Sequence, residues 1–189
     1  MPVQGRWSEA RERLLATASK LFYTEGIRAV GVDRVMAEAD VARGTFYRHF
    51  DGKDDLVRAY LDARHQRIGA GLAAAKEAAA SPVAFLETVA RGIGEEMCSE
   101  GFRGCPFINA AAEYPERKSA VHQAVLAYRD HFHEVLQETF QQVGVPDPKR
   151  STDAMVALRD GVMVAAYLGD PQTASDTLVH GVAVLLADR

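Results

Sequence analysis

Apolar side chains recur along this chain with the period of a helix, and nowhere with the alternation of a strand. Leu14, Ala18, Leu21 and Phe22 share one face of a first helix, which Ser8 precedes and Gly26 ends. Val32, Val35, Met36 and Ala39 fall at i, i+3, i+4 and i+7 and predict a short second helix, interrupted by Asp40-Val41. A third helix starts near Arg43, carries Thr45, Tyr47, Arg48 and His49, and stops at the Gly52 that follows Phe50-Asp51. Two short helices around a tight turn make a helix-turn-helix, and the first helix buttresses it. From Lys53 to about Ala80 the pattern is one long helix, with Asp54 and Asp55 in its first turn and an alanine-rich tail of strong helix formers.

Further along, helix starts are marked by a capping residue followed by proline: Ser81-Pro82, Asp147-Pro148 and Asp170-Pro171. Leu86, Val89, Ala90, Ile93 and Met97 form one stripe, and Val121, Val125, Tyr128, Phe132, Val135 and Thr139 form another. The last two predicted helices, 149–168 and 171–187, are apolar over much of their circumference, which calls for burial on more than one side. Gly161, Ala165, Ala166, Gly181 and Ala183 allow close approach there. A second copy of the chain or a thick monomeric core would each satisfy that demand. The fold class is all-α: a three-helix head, a long connecting helix, and a larger helical body. The expected divisions are 1–52, 53–80 and 81–189.

Composition adds bounds. At 189 residues and 20.6 kDa the chain can bury a sizeable core. It has no apolar run long enough for a membrane span, and its charged start lacks the centre of a secretion signal, so a soluble cytoplasmic protein without membrane partners is expected. Two cysteines, Cys98 and Cys105, are too few for a disulfide framework. The net charge of -4 argues at first against a nucleic-acid partner. Its distribution answers that: residues 1–67 carry 12 Lys and Arg against 10 Asp and Glu, so the excess of acid lies entirely in the remainder. The basic end holds the helix-turn-helix, and a limited set of phosphate contacts follows.

A helix entering the major groove presents its N-terminal residues to base edges. Arg43 lies there, suited to a guanine edge or a phosphate; Gly44 lets the backbone approach; Thr45, Tyr47, Arg48 and His49 offer donors to phosphate or base. Phe46 and Phe50 belong to the core of the head, whereas Tyr47 is expected outside it. Arg6 and Trp7 are placed to reach an adjacent groove as an N-terminal arm, or to fold back onto the domain.

The string Val41-Ala42-Arg43-Gly44-Thr45-Phe46-Tyr47-Arg48-His49-Phe50, followed by Lys53 and Leu56, resembles the DNA-binding end of the TetR family of transcriptional repressors. Leu14-Leu15, Leu21-Phe22 and Gly26 fit too, so the resemblance covers about residues 8–60. It implies that Tyr47 and Lys53 are mainly phosphate contacts. It also implies that the terminal helix pair, about 149–187, forms a four-helix homodimer interface, and that the body encloses a cavity for an unknown small-molecule inducer. Two positions depart from the family pattern: Asp40 stands where Gly is usual in the turn, and Ala42 where Ser often caps the helix. Asp tolerates a left-handed turn, and the lost cap costs about 1 kcal/mol.

The stretch 98–115 carries further chemistry. Gly101 and Gly104 break the preceding helix, and Cys105-Pro106 opens a short new one that ends near Tyr114-Pro115. The Gly104-Cys105, Asn109 and Glu113 spacing looks like a string found in a subset of TetR-like regulators, some of which respond to electrophiles or oxidants. A thiolate is favoured at a helix N-terminus beside a cation such as Arg103, which makes Cys105 a candidate sensor with Cys98 as resolving partner. A small buried residue fixing the turn is the plainer reading. Candidate cavity residues are Met97, Phe102, Phe107, Asn109, Tyr128, Phe132, Met155, Arg159, Met163 and Tyr167. Arg159, amid an apolar helix, must bind an acidic ligand group, pair with a carboxylate such as Glu113 or Asp160, or point to solvent.

The function expected is a dimeric regulator, a repressor released from a palindromic operator by an inducer or by thiol modification, with no catalytic site and no cofactor. A ligand-independent dimeric regulator is the alternative. A metal sensor or enzyme using His122, His131 and His133 with the cysteines is remote: His131 and His133 are two apart and diverge on a helix, where a metal pair needs i, i+3 or i, i+4.

Overall fold

The computed structural model describes residues 3–187, in which every regular element is a helix. In order these are α1 (Val3–Glu25), α2 (Val32–Glu38), α3 (Arg43–His49), α4 (Lys53–Ala78), α5 (Pro82–Met97), α6 (Pro106–Glu113), α7 (Ala120–Val143), α8 (Pro148–Leu168) and α9 (Pro171–Ala187). The period-3.6 patterning and the cap-proline pairs thus place the elements to within a few residues. The one displaced start is that of α1, which begins at Val3, so Ser8 is inside the helix rather than its cap. The side chains of Arg6 and Trp7, proposed as an arm, lie outside the described residues.

The three marked starts are capped as their chemistry demands. Ser81 Oγ accepts from the Ala84 N–H at 3.1 Å, Asp147 Oδ1 from Arg150 at 3.0 Å, and Asp170 Oδ2 from Thr173 at 2.9 Å. Each satisfies one backbone donor that the helix start leaves open.

The chain divides into two compact units. The first holds α1 to α3, α4 as far as His65, and Pro106–Leu126. Its core is made by Leu14, Ala18, Phe22, Val35, Phe46, Phe50, Leu56 and Leu61, all buried, with the Phe22 and Tyr60 rings edge to face at 6.0 Å. Burying a side chain such as Phe46 contributes about 1.5–3 kcal/mol.

The second unit holds Gln66–Cys105 and the chain from Ala127 onward. There α5 and α8 pack on α9 around Phe85, Leu86, Met97, Leu136, Phe140, Met155, Met163 and Leu178. Close approach rests on two glycines. A Cβ on Gly94 would collide with Ser175, and one on Gly181 with the Leu158 side chain. Gly161 meets nothing within 4 Å and faces open space. The terminal pair buries only one side of each helix: Val164, Tyr167 and Leu168 of α8 and Val179 and Val184 of α9 are exposed.

Candidate nucleic-acid interface and a cleft in the body

The turn between α2 and α3 is built on Asp40, whose φ of 51° makes it the positive-φ non-glycine residue of the described chain. A side chain there costs about 1 kcal/mol relative to glycine. Arg13 of α1 offsets some of that cost: its Nε donates to the Ala39 carbonyl at 3.1 Å and its Nη2 to that of Asp40 at 3.2 Å. Nothing in the spacing of the sequence points to Arg13. Ala42 is the N-cap of α3 and, lacking a hydroxyl, makes no side-chain cap bond.

On α3, Phe46 and Phe50 point inward and are sealed, with Arg11 over the Phe50 ring at 5.3 Å. The opposite face is presented to solvent. Arg43, Gly44, Tyr47 and Arg48 are exposed, Thr45 and His49 half-buried. Tyr47 is 49% exposed, which excludes the alternative of a core tyrosine and leaves its hydroxyl at the surface. Arg43 sits 3.6 Å from Asp33 in an exposed pair that phosphate competes with readily. Arg48 and His49 lie in the last turn, where the Arg48 cation complements the helix dipole.

Lys53, at the start of α4, is partly spoken for. Its ammonium donates to the Arg28 carbonyl at 3.2 Å, and partial burial draws its pKa below the ordinary value. An ammonium has three donors, so the others stay available to phosphate.

Arg28 belongs to a second network that the sequence does not announce. The Glu113 carboxylate, at the end of α6, accepts from the backbone N–H groups of Ile27 and Arg28, and Arg28 Nε returns a bond to the Glu113 carbonyl at 3.0 Å. Next to it the Tyr114 hydroxyl donates to Asp54 at 2.9 Å, and burial together with that bond raises its pKa. The α1–α2 turn and the first turn of α4 are thereby both tied to one short segment, Glu113-Tyr114.

In the second unit a cleft of about 320 Å³ opens among α4, α5, α7 and α8. Its lining is apolar, with Ile68, Leu72, Val89, Ile93 and Phe132, apart from Thr88, Glu96, Tyr128 and Arg159. Tyr128 and Phe132 lie nearly parallel with centroids 6.1 Å apart, and the Arg159 guanidinium stands 5.8–6.0 Å from both rings. Burial pushes the Tyr128 phenol up to about 12, so it is neutral at any physiological pH.

Of the ten expected cavity residues, Tyr128, Phe132 and Arg159 line this cleft. Met97, Met155 and Met163 are instead sealed core side chains; methionines at helical spacing fill gaps between helices. Phe107 is likewise buried, and it lies with Asn109 on α6, in the first unit. Tyr167 is 46% exposed and carries Arg103 over its ring at 5.6 Å, and Phe102 does not line the cleft.

Arg159 does not point to solvent, and the Glu113 carboxylate is engaged by the Ile27 and Arg28 N–H groups. Arg159 is 5% exposed and pairs with Asp160 at 2.8 Å. It also supplies the cation that touches the Cys105 sulfur, at 3.4 Å, whereas Arg103 is engaged with Tyr167. Cys105 is buried and Cys98 exposed, and both are free thiols. Of the histidines, His122 bonds the Tyr114 carbonyl and His133 the Asp153 carboxylate, each at 2.8 Å.

Comparisons with known proteins agree with this geometry. Residues 14–60 match the family model described as bacterial regulatory proteins, tetR family. The crystal structure of SCO4454, a TetR-family transcriptional regulator from Streptomyces coelicolor, superposes with a TM-score of 0.92 at 49% identity, covering 96% of each chain. The HTH-type transcriptional regulator LmrA of Bacillus subtilis is 22% identical over 164 residues, 84% of this chain and 87% of its own. An HTH-type regulator of Staphylococcus aureus is 42% identical over 48 residues, a quarter of either chain.

Proposed function

The chain belongs to the TetR family of transcriptional regulators, and from that premise we propose that it is a homodimeric repressor released from a palindromic operator by a small molecule bound in its body. It is a DNA-binding regulator and not an enzyme. The observation that carries the DNA reading is the exposed face of α3, with Arg43, Tyr47 and Arg48 outside and Phe46 and Phe50 sealed beneath. Residues 1–52 are the DNA-binding head, 53–80 the connecting helix and 81–189 the regulatory and dimerising body, with the protein acting in the cytoplasm. No helix of the described residues is long and apolar enough to cross a membrane.

Dimerisation is supported by the half-buried terminal pair. Val164, Tyr167, Leu168, Val179 and Val184 form an exposed apolar face on α8 and α9, beside a groove of about 450 Å³ lined by Ala157, Gly161 and Ala165. A head with one recognition helix reads a palindrome only in a two-fold pair, with half-sites about one helical turn, 34–36 Å, apart. The body cleft supports an inducer: it is concave and mostly apolar, with a few convergent polar groups.

The test is operator binding on DNA from the protein's own promoter region. Arg43→Ala and Tyr47→Ala are each expected to weaken binding by about 10-fold or more while leaving the dimer intact, since a good base or phosphate contact is worth about 1–3 kcal/mol. Binding as tight as that of the parent in both variants contradicts the assignment of α3. Release by a mild electrophile that disappears in Cys105→Ser would shift the trigger to the thiol, a reading favoured by the Arg159 contact and opposed by burial of the sulfur. Operator affinity indifferent to every compound would mark a regulator whose body only dimerises.

A further inference from the structure

A guanidinium offers five N–H groups. In Arg159, Nη1 donates to Cys105 Sγ at 3.4 Å and to Asp160 Oδ1 at 2.8 Å, and Nη2 donates to the Tyr128 hydroxyl at 3.3 Å. Nε is buried and has no acceptor. Its carboxylate partner is shared as well. The Asp160 carboxylate also holds Arg129 at 2.8 Å, so one carboxylate answers two guanidinium groups. A cation 5% exposed, with an idle donor and a shared counter-ion, is costly to bury, and its side chain lines the cleft.

We propose that the cleft takes a small apolar monocarboxylic acid, aryl-alkanoic or medium-chain alkanoic, with its carboxylate on the Nε edge of Arg159. The side-on edge of a guanidinium presents parallel donors that match the two oxygens of a carboxylate. The hydrocarbon body lies against Phe132, Leu72, Val89 and Ile93. At about 320 Å³ the cleft is at the small end of ligand sites, which suits a small ligand. Room for the hydrocarbon is left by Gly71 and Gly92, whose absent Cβ atoms would meet nothing within 4 Å. The inference rests on reading the body as the inducer site, and adds the chemical class of the inducer.

The experiment is calorimetric titration of the full-length protein with octanoate and 3-phenylpropanoate, beside octanamide and 3-phenylpropanamide, which keep size and shape and lose the charge. At least one acid is expected to bind 10-fold or more tighter than its amide. Arg159→Met should abolish that preference; the variant keeps the volume and leaves Asp160 paired with Arg129, so the fold is retained. Gly92→Leu should block both acid and amide by filling the cleft, with an unchanged circular dichroism spectrum. Acids binding no better than amides, no binding of either acid, an acid preference that survives Arg159→Met, or acid binding that survives Gly92→Leu would overturn the proposal. Operator binding by the same preparations separates the two levels. Intact operator binding without acid preference removes only the ligand class, whereas acid binding without any operator binding removes the regulator reading and leaves the site.

Discussion

Asp40 and Ala42 are the two residues at which this helix-turn-helix departs from its family, and both show how a sequence rule becomes a geometry. The left-handed turn expected of Asp40 is present at φ 51°, so an aspartate does the work usually given to glycine. What the sequence does not reveal is that Arg13, 26 and 27 residues away from the carbonyls it binds, holds that turn from outside. Side chains reaching across elements leave no periodic trace. Ala42 caps α3 without a hydroxyl, and Ala42→Ser is expected to raise unfolding stability by about 1 kcal/mol, read as a higher midpoint in thermal or denaturant unfolding. No gain would mean that the serine rotamer cannot reach the N–H groups of the first turn. Arg159 is the same lesson at greater cost. Its place in an apolar stripe is legible, but its partners are not: besides the adjacent Asp160, Tyr128 and Cys105 reach it from 31 and 54 residues away.

Among the elements, those whose ends carry side-chain chemistry were the most legible. Ser81, Asp147 and Asp170 each precede proline and each bond the N–H three residues on, because the geometry of a helix start is local. The short α6 was also readable from Cys105-Pro106 and Tyr114-Pro115, yet its attachment was not. Glu113 and Tyr114 tie α6 to the α1–α2 turn and to Asp54, 60 to 86 residues away in sequence. The terminal pair presents the converse case. Its excess of apolar positions was plain, and the fold leaves Val164 on α8 and Val184 on α9 about half exposed, at 49% and 53%. Val164→Glu combined with Val184→Glu is expected to give monomers in sedimentation, with helix content unchanged, because two charges on each face would have to be desolvated in the dimer. A dimer that persists in that variant would place the interface elsewhere.

For the molecule as a whole, a net charge of -4 and a DNA-binding role are compatible because sequence position, not total, decides the field at the groove. The head carries the slight basic excess and the exposed Arg43 and Arg48. The body carries the acid, and within it a buried arginine beside a small apolar cleft. Architecture and head were legible because the helix period and one motif specify them. The cleft was less legible: Tyr128, Phe132 and Arg159 line it, whereas Met155 and Met163 are sealed in the core and Tyr167 is exposed; a cavity is where packing stops, and no local pattern encodes that. Under the proposed function, two copies of this chain together read one operator. The direct measurement is the mass of the complex formed on a single palindromic site from its own promoter region, by sedimentation. Two chains per site is the predicted result, with the complex weakened by about 10-fold or more in Tyr47→Ala. A single chain bound with full affinity, or a complex indifferent to Tyr47, would contradict it.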